Sequence, residues 1–195
     1  MSLMFADSRD HALVALVIKV AHQAIAQSEG FIGRTAVQKI MYFLKALDVP
    51  MKYKFRLHHY GPYSDELRDD LDCLLADDVV VDTSERPKEY SVFQPGAESD
   101  ALINLYKESL IEKDNEISDI VKWLTKFTPE ELELIMTLDY FYRVERAKEP
   151  RNDIKERVLD RFMDIKGDLK RKTITFNRET LSDWYDKMVE LGLFK

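Results

Sequence analysis

Residues Thr35 to Phe93 read TAVQKIMYFLKALDVPMKYKFRLHHYGPYSDELRDDLDCLLADDVVVDTSERPKEYSVF. The stretch opens with Thr35-Ala-Val-Gln38, a capping box. Val37, Ile40, Met41, Leu44 and Leu47 follow at helical spacing until Pro50 stops the run. Residues 52–60, KYKFRLHHY, alternate as a short strand with Lys52, Lys54 and Arg56 on one face and Tyr53, Phe55 and Leu57 on the other. Gly61-Pro62 marks a turn, and Ser64 caps a helix with Asp65 and Glu66 in its first turn. Leu67, Leu71, Leu74 and Leu75 form that helix's buried stripe. Val79-Val80-Val81 and Tyr90-Ser91-Val92-Phe93 read as a hairpin with Pro87 at its tip. Helix, strand, turn, helix and hairpin in this order describe a winged helix.

Outward from this stretch the pattern is helical. Residues 10–27 carry apolar side chains on nearly every side, which marks a central helix, with Asp10 as its N-cap and Gly30 as its stop. Met1-Ser2-Leu3 reads as a remnant ahead of a natural start at Met4. Pro95-Gly96 is read as a boundary. Beyond it, Ile103, Leu110, Ile117 and Leu124 suit one helix over 99–127, long enough to pair two chains as a homodimer. Thr128-Pro-Glu-Glu131 is a second capping box, and Glu149-Pro150 ends its helix. A helix marked by Ile154, Val158, Phe162 and Ile165, an extended segment at Thr173–Phe176 and a last helix stopped by Gly192 complete the chain. The fold expected is mainly α with a minor β part (α+β minor): a winged-helix-like domain over 8–95 with a small β-hairpin, and a C-terminal helical region over 97–195.

Composition narrows the function classes. The chain has 195 residues, a net charge of −7 and one cysteine, Cys73, so no internal disulfide forms and a reducing cytoplasm suits it. Its most apolar run, Ala12 to Ala26, is interrupted by Lys19 and His22 and is too short to cross a bilayer. His11 and His22 lie three helical turns apart, and His58 and His59 point to opposite faces of a strand, so neither pair chelates a metal. Six glycines form no phosphate-cradling loop, and Ser64 is better explained as a cap than as a nucleophile. No catalytic residue, cofactor or metal is expected, and the protein is read as not an enzyme.

Gln38-Lys39-Ile40-Met41-Tyr42-Phe43-Leu44, followed by Tyr60-Gly61-Pro62-Tyr63-Ser64 and then Leu67 and Leu71, resembles the prokaryotic YwgA-like proteins. More distantly it is similar to the Panacea domain of SocA-like antitoxins. The resemblance implies a compact helical domain of winged-helix character, and the Panacea likeness implies neutralisation of a toxin by direct protein binding or adaptor action. It supplies no catalytic residues.

Charge weighs the remaining readings. Ser64–Asp78 carries seven carboxylates against Arg68, a net of −6, on the helix that would enter a DNA groove. That acidity favours a protein partner, steered by Asp65, Asp69 and Asp72 with Tyr63 at the turn. The alternative is a nucleic-acid-binding regulator using residues 143–178, where twelve cations face seven acids, with Lys170, Arg171 and Lys172 as the contacts. The simpler reading of those cations is a set of exposed helical ion pairs.

Overall fold

The computed structural model describes residues 3–26, 32–85, 90–110, 114–148, 153–167, 169–170 and 174–194. It is mainly α, with three small two-stranded sheets among those residues. The expectations placed on Gly30, Pro87, Glu149-Pro150, Arg171, Lys172 and Thr173 lie outside the described residues. No described helix is long and apolar enough to cross a membrane.

Contacts divide the chain into two units. The first comprises Met1–Arg56 and Tyr63–Lys126; the second comprises Leu57–Pro62 and Phe127–Lys195. The division therefore falls after Lys126 and at the short Leu57–Pro62 segment, and Gly96 lies inside the first unit. A Cβ at Gly96 would lie 2.1 Å from the Asp78 carbonyl oxygen, so only glycine allows this approach.

The first unit is built around α1 (Arg9–Ile25), which is buried along nearly all of Ala12–Ala21, as its unbroken apolar surface requires. Ser8, not Asp10, is its N-cap: the Ser8 hydroxyl accepts from the His11 N–H at 3.2 Å. Asp10 instead accepts from the Lys52 N–H at 2.8 Å. Helix α2 (Arg34–Ala46) packs on α1 and starts at Gly33 without a side-chain cap. The expected Thr35–Gln38 capping box does not form, because Gln38 is turned inward. Its Nε2 donates to the Ser64 carbonyl oxygen and its Oε1 accepts from the Ser64 N–H, both at 2.9 Å. Gln38, Lys39 and Ser64 are all buried.

The strand expected over 52–60 shrinks to β1 (Arg56–His58), paired with β2 (Gly61–Tyr63) across His59-Tyr60. Upstream, side chains take the backbone groups a ladder would use: Lys45 Nζ donates to the carbonyls of Met51 and Tyr53. Gly61 has φ 95°, a conformation that costs other residues about 1–2 kcal/mol. Ser64 then caps α3 (Asp65–Ala76), its hydroxyl accepting from the Leu67 N–H. Leu67, Leu71 and Leu74 are buried, whereas Leu75 is half-exposed. The following hairpin pairs β3 (Val80–Asp82) with β4 (Phe93–Pro95), Val80 opposite Pro95, so the second strand starts later than its apolar residues suggest.

The single helix expected over 99–127 is broken at Tyr106, between α4 (Ser99–Leu105) and α5 (Lys107–Leu110); α6 covers Asp114–Leu124. Tyr106 leaves the helix, its hydroxyl donating to the Asp7 carbonyl while its own carbonyl accepts from Ser109 Oγ at 2.7 Å. Leu110, Ile117 and Leu124 are buried within the first unit, and Ile103 is half-buried. These are the side chains a paired-chain seam would use.

The second unit centres on α7 (Pro129–Lys148), which packs against α8 (Ile154–Lys166) and α9 (Arg178–Glu190). Its capping box forms as expected: Thr128 Oγ1 accepts from the Glu131 N–H and Glu131 Oε2 accepts from the Thr128 N–H. On α8, Ile165 is exposed and Lys166 buried, the reverse of the apolar pattern. Lys166 Nζ lies 2.5 Å from Glu133 Oε1 and donates to the His59 carbonyl oxygen at 2.6 Å, which holds the hairpin residues of this unit. Strands β5 (Leu169–Lys170) and β6 (Thr175–Phe176) pair, and Gly192 follows α9 at φ 71°.

Replacing Gln38 by Ala leaves the Ser64 N–H and carbonyl buried and unpaired. Urea denaturation is expected to show a loss of about 2–4 kcal/mol with an unchanged slope.

Candidate functional site

Helix α3 distributes its carboxylates by depth. Asp65, Asp69 and Asp72 fall at i, i+4 and i+7 and share one exposed face, with Tyr63 half-buried just before the cap. The residues expected from sequence are thus brought together. They are not bare. Asp65 lies 2.7 Å from Arg56 and 3.4 Å from Arg68, Asp69 lies 2.8 Å from Arg68, and Asp72 lies 2.8 Å from Arg34. Asp77 turns away and accepts the Phe5 and Ala6 N–H groups at 2.7 Å each.

The cations Lys52, Lys54 and Arg56 are therefore not a freely solvated face, as a short basic strand suggests. Lys52 pairs with Asp70 at 2.8 Å, Arg56 pairs with Asp65, and the charge of Lys54 acts on Glu66. The Ser64 hydroxyl, which donates to Glu66 at 2.7 Å, holds the Glu66 carboxyl below its usual range. The net −6 of α3 is offset by partners from other elements. The signal was present in sequence as three cations at period two beside a helix with carboxylates on the facing side. What it lacked was the placement of Arg34.

Asp70 is the buried member. Its Oδ2 accepts from the Tyr53 hydroxyl at 2.8 Å, and His11 Nε2 lies 3.2 Å from the same oxygen. His11, three turns from His22 on α1, thus meets a carboxylate of α3. Burial pushes the Asp70 carboxyl up, but contacts with His11, Lys52 and Tyr53 outweigh it and pull the value from 3.8 to about 2. Burial first, then the charge of Asp70, raises the Tyr53 hydroxyl far above its ordinary value. This cluster joins α1, α3 and the 52–53 segment.

Other chemistry around α3 is modest. Lys54, Phe55, Arg56, Asp65 and Glu66 line a shallow, open groove of about 230 Å³. Burial and the neighbouring carboxylates push the Cys73 thiol up, so it is not poised as a thiolate nucleophile at neutral pH. No group of three or more metal-ligating side chains occurs among the described residues. His58 and His59 are both exposed, with ring centroids 5.7 Å apart, because His59 sits in the turn rather than on the strand.

In the basic region, Lys170 lies in β5 and Arg171 and Lys172 lie outside the described residues. Arg143 pairs with Asp139 within α7. Lys155 pairs with Asp186, and Arg178 with Glu156 and Asp160, so these pairs join α8 to α9 rather than lie along one helix.

The fold and this surface define a mainly α protein with a charge-paired helix face. No family model matches the chain. Over 45 residues it is 40% identical to the protein named Uncharacterized protein YwgA from Bacillus subtilis (strain 168). The match covers 23% of this chain and 27% of YwgA, so the chain spans about a quarter of the curated relative it matches. This is a distant YwgA-like similarity.

Asp70 has a depressed folded pKa, so its contribution to stability is present above about pH 4 and is lost as pH falls towards 2. Asp70→Asn is expected to cost about 1–3 kcal/mol at pH 7 and to flatten the acid limb of a urea-midpoint against pH curve.

Proposed function

We propose that the protein acts by binding another protein, in the manner of an antitoxin or adaptor, through the exposed face of α3. The observation that carries this is the line of Asp65, Asp69 and Asp72, each holding an arginine that is itself 40% or more exposed. A face of alternating, part-exposed charges suits a protein surface of complementary pattern, which can exchange one ion pair for another on docking. It suits a phosphate backbone poorly, because each arginine recruited by phosphate leaves a carboxylate beside it.

The element order α1, α2, α3 and the β3–β4 hairpin supports a winged-helix reading of the first unit. In a DNA reader of that class the equivalent of α3 enters the groove. Here that surface bears the carboxylates, so the topology is used for a different partner. The antitoxin-like part rests on the resemblance of the Gln38–Leu44 and Tyr60–Ser64 motifs, and a bacterial cytoplasm fits the lone cysteine. The reading requires no catalytic step and no cofactor.

The test is affinity purification from the native host with nuclease present, comparing wild type with the Asp65→Lys, Asp69→Lys, Asp72→Lys triple variant. Wild type should retain a stoichiometric protein partner, and the triple variant, shown folded by circular dichroism, should bind it at least about tenfold more weakly. Undiminished retention by the triple variant, or recovery of nucleic acid alone, overturns the proposal.

A further inference from the structure

On the second unit, three cations converge on one carboxylate. Glu145, near the end of α7, is 4% exposed at its side chain and is met by Arg157 at 2.5 Å, Arg161 at 2.6 Å and Lys148 at 2.8 Å. Arg157 and Arg161 are one turn apart on α8, so both reach the same spot. The guanidinium of Arg161 also sits 5.5 Å from the centre of the Phe141 ring, which orients it. Both oxygens of Glu145 are engaged, yet the cations remain 51% (Lys148), 30% (Arg157) and 38% (Arg161) exposed. Two guanidiniums and an ammonium bring about thirteen N–H donors, and a carboxylate offers roughly four lone-pair sites. The cluster therefore keeps donors directed to solvent and a surplus of two positive charges.

The surplus is local. Lys155 and Arg178 on the neighbouring helices are matched by Asp186, Glu156 and Asp160, and Arg143 is matched by Asp139. A polynucleotide needs a line of cations at phosphate spacing, whereas one dianion needs a single focus. We propose that Lys148, Arg157 and Arg161, spaced by the buried Glu145, form a binding site for one phosphoryl dianion, either free phosphate or a phosphorylated side chain. Glu145 is the positioning residue, and the outer N–H groups of the three cations are the contacts. The site lies on other residues than the α3 face and stands or falls without it.

The test is titration of the isotopically labelled full chain with inorganic phosphate to about 10 mM, with a phosphoserine peptide and with a single-stranded oligonucleotide, at constant ionic strength. Saturable shifts of the Arg157 and Arg161 side-chain N–H signals are expected with phosphate or with the phosphopeptide, and the tighter of the two identifies the source. Arg157→Gln should weaken binding at least about tenfold. Lys148→Gln, at the most exposed of the three, does the same should the arginine variant fail to fold. Absence of saturable shifts with both phosphate probes, shifts unchanged in the folded variant, or binding of the oligonucleotide alone overturns the site.

Discussion

The structure of the first unit depends on one side chain gripping one piece of backbone. Gln38 on α2 satisfies both the N–H and the carbonyl of Ser64, the residue from which α3 starts. A buried amide with matched donor and acceptor adds about 1 kcal/mol per bond, yet leaving either Ser64 group unpaired costs more than that, so the clamp acts chiefly as a constraint. It fixes where α3 begins and hence the rotation of every carboxylate along it. With Ser64 held at φ −125° and ψ 126°, Asp70 turns inward to Tyr53 and His11 while Asp65, Asp69 and Asp72 turn out. The conformation of Gly61 prepares the approach by reversing the chain just upstream.

Charge in this protein is arranged by pairing across elements. The acidic helix meets cations from α2 and from residues 52–56, and buried carboxylates on α7 collect Lys166, Arg157 and Arg161 from α8. Exposed pairs of this type contribute little to stability singly. Together they convert a strongly acidic segment into a mixed surface and leave surplus positive charge at Glu145. Net charge counted along the chain misjudges both surfaces.

Helix positions were largely legible because α1 is apolar on nearly every side, α2 carries apolar residues at helical spacing, and Thr128 and Glu131 form a local capping box at the start of α7. The misreadings share a cause. Thr35-Ala-Val-Gln38 has the local form of a capping box, but Gln38 has a better partner 26 residues away. The seam over 99–127 is continuous in pattern, but Tyr106 is drawn out of the helix by the Asp7 carbonyl. Lys166 is buried because Glu133, far along the chain, is buried with it. The acidity of the segment carrying Asp65, Asp69 and Asp72 was legible in the sequence, as were the cations at 52, 54 and 56, whereas the pairing with Arg34 and the Glu145 cluster required the tertiary fold.

The most direct measurement of the central constraint is native-state exchange of the Ser64 amide. If the Gln38 clamp sets the start of α3, this hydrogen exchanges only through opening as costly as that of the buried core of α1, far more slowly than the amides of the exposed His59-Tyr60 turn. Exchange of Ser64 at the rate of that turn would contradict the account, since the start of α3 would then open freely.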